Sequence, residues 1–136
     1  MSSFIFQATT ERHDLSSWPA VGQTIDWRAQ RYRSLMRPEE LVFFWRAGDA
    51  ELRGVHGWGH LDSLPYEQDG RYRVKVRFEH RFVPHISAAQ LESDPKLRDL
   101  QIFSVRVGSN FLLEPMEVEA ILRHIPAEQR PPSLGG

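Results

Sequence analysis

The residues able to do chemistry in this chain are six histidines, eighteen carboxylates, and tryptophans and arginines that crowd into short stretches. His56 and His60, four apart on an expected strand, share a face but stand about 13 Å apart, too far to hold one ion jointly. His80 and His85 flank Pro84, and no carboxylate or thiolate spacing completes a set of metal ligands. The chain contains no cysteine, which removes disulfides, thiolate zinc sites and thiol nucleophiles together and fits a reducing compartment. Hydrolysis fares no better: there is no G-x-S-x-G elbow, "VGSNF" lacks a helix to follow it, and Glu39, Glu40, Asp62 and Glu67 fall in expected turns as solvated acids. The glycines of "GVHGWG" are in the wrong order for a dinucleotide loop. No catalytic residue, metal or cofactor is expected, and the chain does not read as an enzyme.

Two stretches interleave aromatic and basic side chains, "WRAQRYR" at 27–33 and "FFWR" at 43–46. Trp, Tyr and Arg stack on nucleobases and pin phosphates. Large aromatics are also the ordinary material of a core, so Trp27, Tyr32 and Trp45 are open to both readings. Net charge is −1, which argues against a uniformly basic polyanion binder. Arg28, Arg31, Arg33, Arg37 and Arg46 in one segment, and Arg71, Arg73, Lys75, Arg77 and Arg81 in another, either form one basic face or scatter as solvated charge.

These residues need elements to position them. A chain of 136 residues with 40% hydrophobic and 26% charged residues suits a single domain around one core. The opening "MSSFIFQATT" has no basic n-region and too short an apolar run for a signal peptide, and no stretch is long enough to span a membrane, so a soluble, cytoplasmic protein is expected. Phe4 to Gln7 reads as a first strand, and Asp26 to Met36 as a helical turn ended by Pro38. Leu41 to Trp45, apolar on both faces, reads as an interior strand. A hairpin loop at Ala47 to Glu51 leads to a strand from Arg53 to Leu61, whose glycines suit bulges or tight curvature. Arg71 to Phe78 alternates polar and apolar after the Asp69-Gly70 turn. Ser87 with Gln90 is a capping-box pattern for a helix that Pro95 interrupts, and Gln101 to Val107 reads as a strand or extended loop. Pro115 starts a last helix with Val118, Ile121, Leu122 and Ile125 as its apolar stripe. Residues 1–126 are expected to form the domain and 127–136 a mobile tail. Hairpins without β-α-β alternation imply an α+β fold: a curved mixed sheet or small barrel with flanking helices.

"FIFQATTERHDL", "WRAQRYR", "RPEELVFFWRAGDAELRGVHGWGHL", the "PY" that follows, and "GSNFLLEPMEVEAIL" together resemble the EVE domain of the PUA-like group, which is related to YTH domains. The resemblance runs from Phe4 to Ile125. It implies a PUA-like curved sheet wrapped by helices and a non-catalytic reader that takes a modified base, flipped out of DNA or RNA, into an aromatic cage. It places Gln7, Ala8 and Thr9 at the base edge, Trp27 as one aromatic wall, Trp45 and Arg46 as the opposite side, and Ser109, Asn110 and Phe111 as the segment behind. Arg28, Arg31 and Arg33 are then the contacts to the nucleic-acid backbone. The implied setting is the sensing part of a defence or restriction-type system, with a separate nuclease or motor protein as partner. The alternative is a protein-interaction module that keeps the fold while Trp58 fills the pocket.

Overall fold

The computed structural model describes residues 1–8, 20–105 and 107–132. Its strands are β1 (Ser3–Ala8), β2 (Thr24–Arg28), β3 (Leu41–Arg46), β4 (Gly54–Leu61), β5 (Tyr66–Gln68), β6 (Arg71–Ser87) and β7 (Asn110–Leu113); its α-helices are α1 (Ala88–Glu92), α2 (Gln101–Ser104) and α3 (Pro115–Arg123). The seven strands form one curled sheet in the order β2-β6-β4-β3-β1-β7, with β5 paired to β6. Every pairing is antiparallel except β1 with β3, so the sheet is mixed and the fold is α+β and PUA-like, a half-barrel with short helices.

The apolar run at Leu41 to Trp45 fills the middle of this sheet because both of its faces are covered. Leu41, Phe43 and Trp45 join a core on the helix side, together with Leu91 of α1, Ile102 of α2 and Val118 and Ile121 of α3. Val42 and Phe44 join a second core inside the curl, with Phe4, Phe6, Trp27, Val74, Val76 and Phe78. Successive strand residues point to opposite faces, so a strand feeding two cores must be apolar at every position. Burying each such side chain stabilises the fold by about 1.5–3 kcal/mol.

β6 serves both cores by a different device. Gly59 is opposite Phe78 and Trp58 opposite His80, so one extra residue, Glu79, is bulged out. The insertion flips the alternation: Phe78 faces the inner core, whereas Phe82 and Ile86 face the helix side. On β4, the glycines expected to mark curvature do so by close approach. A Cβ at Gly57 would collide with the carbonyl oxygen of His80, and one at Gly59 with that of Arg77.

Two segments differ from their sequence expectation. Residues 26–36 do not open with a helical turn: β2 pairs with β6, setting Ile25 against Val76 and Trp27 against Val74, and only Arg33–Leu35 makes a turn of 3-10 helix. Gln101 to Val107 is neither strand nor loop at its start but the short helix α2. Ser87 caps its helix as read, its Oγ accepting from the Gln90 amide at 3.1 Å, but the Gln90 side chain meets His124 Nδ1 at 3.0 Å in place of closing the box. A full box that the sequence reading did not mark forms between Glu114 and Glu117 around Pro115. In the tail, the carbonyl of Gln129 accepts from Trp58 Nε1 at 2.8 Å, and Arg130 Nε donates to the Ile125 carbonyl at 2.9 Å. No helix among the described residues is long and apolar enough to cross a membrane.

Candidate nucleic-acid interface

The curl of the sheet brings the exit of β2 against the start of β7, and one side chain joins them. Asn110 is fully buried; its Oδ1 accepts from the Gln30 amide at 2.9 Å and its Nδ2 donates to the Arg28 carbonyl at 2.9 Å. The side-chain amide thus offers the backbone of residues 28–30 the donor and acceptor that a neighbouring strand would supply. Alongside, the Gln7 amide donates to the Ser109 carbonyl at 2.9 Å, and Gln7 Nε2 donates to the Gly108 carbonyl at 2.7 Å. Gly108 sits at φ 119°, where a side chain would be strained, so the turn before β7 needs glycine. Gln7, Ala8, Arg28, Ser109 and Asn110 therefore meet at this seam. Thr9, the next residue of the expected base edge, lies outside the described residues.

Trp27 lies beneath the seam. Its ring stacks on Phe6 at 5.9 Å and meets Phe44 edge-on at 5.6 Å, with 1% of its surface exposed. Trp45 is elsewhere. It follows Phe44 by one residue in β3, points to the other face, and meets Phe103 edge-on at 5.7 Å in the helix-side core. Phe111 shares that core. The expectation that the two indoles face each other across a gap is thus corrected, by the two-residue period of the strand. Trp58 is also in the helix-side core, so it does not fill space beside Trp27. Arg46 is half-buried at the end of β3, opposite Gly54.

Outside the seam the surface turns basic and aromatic. Arg33 Nη1 donates to the Gln30 carbonyl at 3.1 Å, and its guanidinium lies 3.9 Å from the centre of the Tyr72 ring. Two clefts adjoin this pair. One of about 560 Å³ is lined by Gln30, Tyr32, Ser34, Leu64 and Pro65 in addition to Arg33 and Tyr72. The other, of about 360 Å³, adds Arg28, Gly70 and Arg71. Tyr32, at φ 63°, turns the chain here and its hydroxyl meets Gln101 Oε1 at 3.2 Å. Arg31 is exposed nearby. Tyr72 and Arg71 were not among the residues that the sequence marked for the site. The Asp69-Gly70 turn was the signal, since it sets both next to the tip of the β5–β6 hairpin.

One acid on this edge, Asp26, is occupied. Asp26 accepts from the Tyr66 hydroxyl and pairs with Lys75 at 3.3 Å, which together hold its carboxyl below the usual range. Desolvation and the Asp26 hydrogen bond push Tyr66 up to about 12. At the opposite end of β6, His56 and His85 stack with ring centres 4.3 Å apart. Burial, with His85, Arg46 and Arg81 adding to it, lowers His56 to about 4. Among the described residues, no group of three His, Asp or Glu side chains is placed to hold a metal.

No family model matches the chain, and no curated protein matches it by sequence. Solved structures do. A hypothetical protein from Leishmania major superposes with a TM-score of 0.75 at 18% identity, covering 96% of this chain and 98% of that one. Human THYN1 protein in complex with DNA containing 5-methylcytosine gives 0.71 at 18% identity, over 97% and 100%. The DUF55 domain of human thymocyte nuclear protein 1 gives 0.72 at 17% identity, over 90% and 97%. The likeness extends along nearly the whole of each chain and shows a shared fold, in keeping with the curved sheet that the resemblance to EVE domains implies.

Proposed function

We propose that the protein is a non-catalytic reader that holds a modified base, flipped out of DNA or RNA, at the seam between β1, β2 and β7. The observation that carries this reading is the whole-chain likeness to a human protein whose structure holds 5-methylcytosine-containing DNA. In this reading Gln7, Ala8 and Thr9 meet the base edge, Trp27 lies beneath it, and Ser109 and Asn110 fix the wall. Trp45 and Phe111 brace the strands from the helix side, and Arg46 closes the end of β3. Arg28, Arg31 and Arg33 contact phosphates. Extruding a base costs a few kcal/mol, which contacts at the base edge and to the phosphates offset, while Trp27, 1% exposed, supports the seam from below. A methyl group buried in a dry site adds about 0.8 kcal/mol in favour of the modified base. Cutting or remodelling would fall to a separate nuclease or motor protein, as in a defence or restriction-type system. The alternative of a protein-interaction module with a degenerate pocket keeps the near-neutral charge in its favour but loses Trp58, which lies on the other face from Trp27.

The test is a salt titration with oligonucleotides carrying 5-methylcytosine or cytosine. Three phosphate contacts predict that log affinity falls with log salt at a slope of about 2 to 3, with tighter binding of the methylated strand. Affinity that ignores both salt and methylation would reject the reader.

A further inference from the structure

We propose that the Arg33–Tyr72 stack is a second nucleotide site, a platform for one unpaired base next to the base held at the seam. The inference rests on the reader role and extends it from the phosphate contacts of Arg28 and Arg33 to the Tyr72 ring beside them, to which that role assigns nothing. Tyr72 is 40% exposed although it continues the inward-facing row of Val74, Val76 and Phe78 along β6. Tyr72 lies beyond the end of the β4 pairing at Val76, where only the short strand β5 continues the ladder through Glu67, and its ring is left at the edge of the curl. Arg33 lies across its ring at 3.9 Å and is held there through the Gln30 carbonyl. A guanidinium held over a tyrosine ring makes a cationic, π-rich surface on which a nucleobase stacks without regard to its identity.

The clefts on the two sides of the stack, about 560 and 360 Å³, are of the size of small-ligand sites, about 300–1,000 Å³. They differ in character. Leu64 and Pro65 give the larger one an apolar side, suited to a base, while Arg28 and Arg71 flank the smaller one, suited to the phosphate that precedes or follows it. Gln30 lines both and is itself bound through its amide to Asn110, so the platform is built on the same backbone as the seam. Among the described residues on this edge, Asp26 is engaged by Tyr66 and Lys75, and Glu67 and Asp69 stand beside Arg31, Arg33, Arg71 and Arg73.

The experiment measures binding of the full chain and of Tyr72→Ala and Tyr72→Phe to single strands carrying one 5-methylcytosine or one cytosine, in deoxyribose and ribose forms. A matching set has the nucleotides flanking that base replaced by abasic ones. Tyr72→Ala is expected to weaken binding about five- to tenfold without changing the preference for methylation, and Tyr72→Phe to restore it. Abasic flanks should weaken the wild type by the same factor and leave Tyr72→Ala unaffected further, because both changes remove one contact. A melting temperature unchanged in Tyr72→Ala shows that the loss is not one of folding. If Tyr72→Ala binds as the wild type does while the methylation preference persists, the platform is wrong and the reader stands. If binding is indifferent to methylation yet drops with Tyr72→Ala and with abasic flanks, the reader is wrong and the platform stands. No binding of any strand by the wild type overturns both.

Discussion

The two faces of the sheet bury equally large aromatics and put them to different ends. On the helix side, Trp45 and Trp58 are roofed by α1, α2, α3 and the tail, and the core is closed. Inside the curl, Phe6, Trp27, Phe44 and Phe78 pack among the sheet's own strands and, among the described residues, Ala29, Tyr32 and Met36 of the segment after β2, and the row runs out at Tyr72 and at the seam. A core sealed by separate elements has no edge to offer a ligand. One sealed by curvature has a rim, and at that rim the aromatic row meets Asn110, Arg28 and Arg33. Burial alone therefore does not tell a structural tryptophan from one placed to support a site; what roofs it does.

The sharpest way to break this comparison is to truncate one indole on each face. Trp27→Ala and Trp45→Ala should each lose about 3–5 kcal/mol in chemical denaturation, since both are fully buried. Measured well below both midpoints, Trp45→Ala should retain preference for a modified base and Trp27→Ala should lose it. Equal behaviour would mean that the faces are not functionally distinct. Next in size is Asn110→Ala, which strands the Gln30 amide and the Arg28 carbonyl at about 1–3 kcal/mol for each buried group left unpaired. Hydrogen exchange should quicken at Gln30 while the β4–β6 ladder stays protected; uniform loosening would show that the seam is not a separate unit. The smallest effect is in pH dependence. His56 is depressed to about 4 in the folded state from an ordinary 6.5, so below 6.5 the unfolded chain takes up the proton first. Stability is then complete above about 6.5 and lost as pH falls toward 4, and His56→Gln should flatten that slope. The Asp26 carboxyl, lowered by Tyr66 and Lys75, keeps its contribution until pH falls below the ordinary carboxylate range, so the β2–β5 edge should outlast the His56 region on acidification.

The parts of the fold legible in the sequence were those with a local cause. Leu41 to Trp45 announced a strand with two covered faces, the alternation from Arg71 announced β6, and Ser87 and Pro115 announced helix starts. β2 was read as helix because "TIDWR" holds only two inward residues, and its partner β6 lies almost fifty residues away. The seam residues Gln7, Ser109 and Asn110 were placed together by the resemblance to EVE domains, and the structure brings them together through long-range hydrogen bonds that no local pattern encodes. Which way each tryptophan faces was beyond reach for the same reason. Parity along a strand is simple to count, but the side on which a count begins is decided by pairing. Tyr72 read correctly as inward-facing, yet nothing local said that the sheet covering it would end.

Glu79 decides that phase for half of β6. Because one residue outside the ladder sets the offset between Phe78 and Phe82, the two ends of the strand are tied to different cores by a count of residues, and the bulged Glu79 is held in place by His60 and Arg77. Deleting a single residue there would leave composition, charge and hydrophobicity nearly untouched, yet turn Phe82 and Ile86 away from the helices and His80 off Trp58. At that point the chain tolerates changes of letter far better than changes of length.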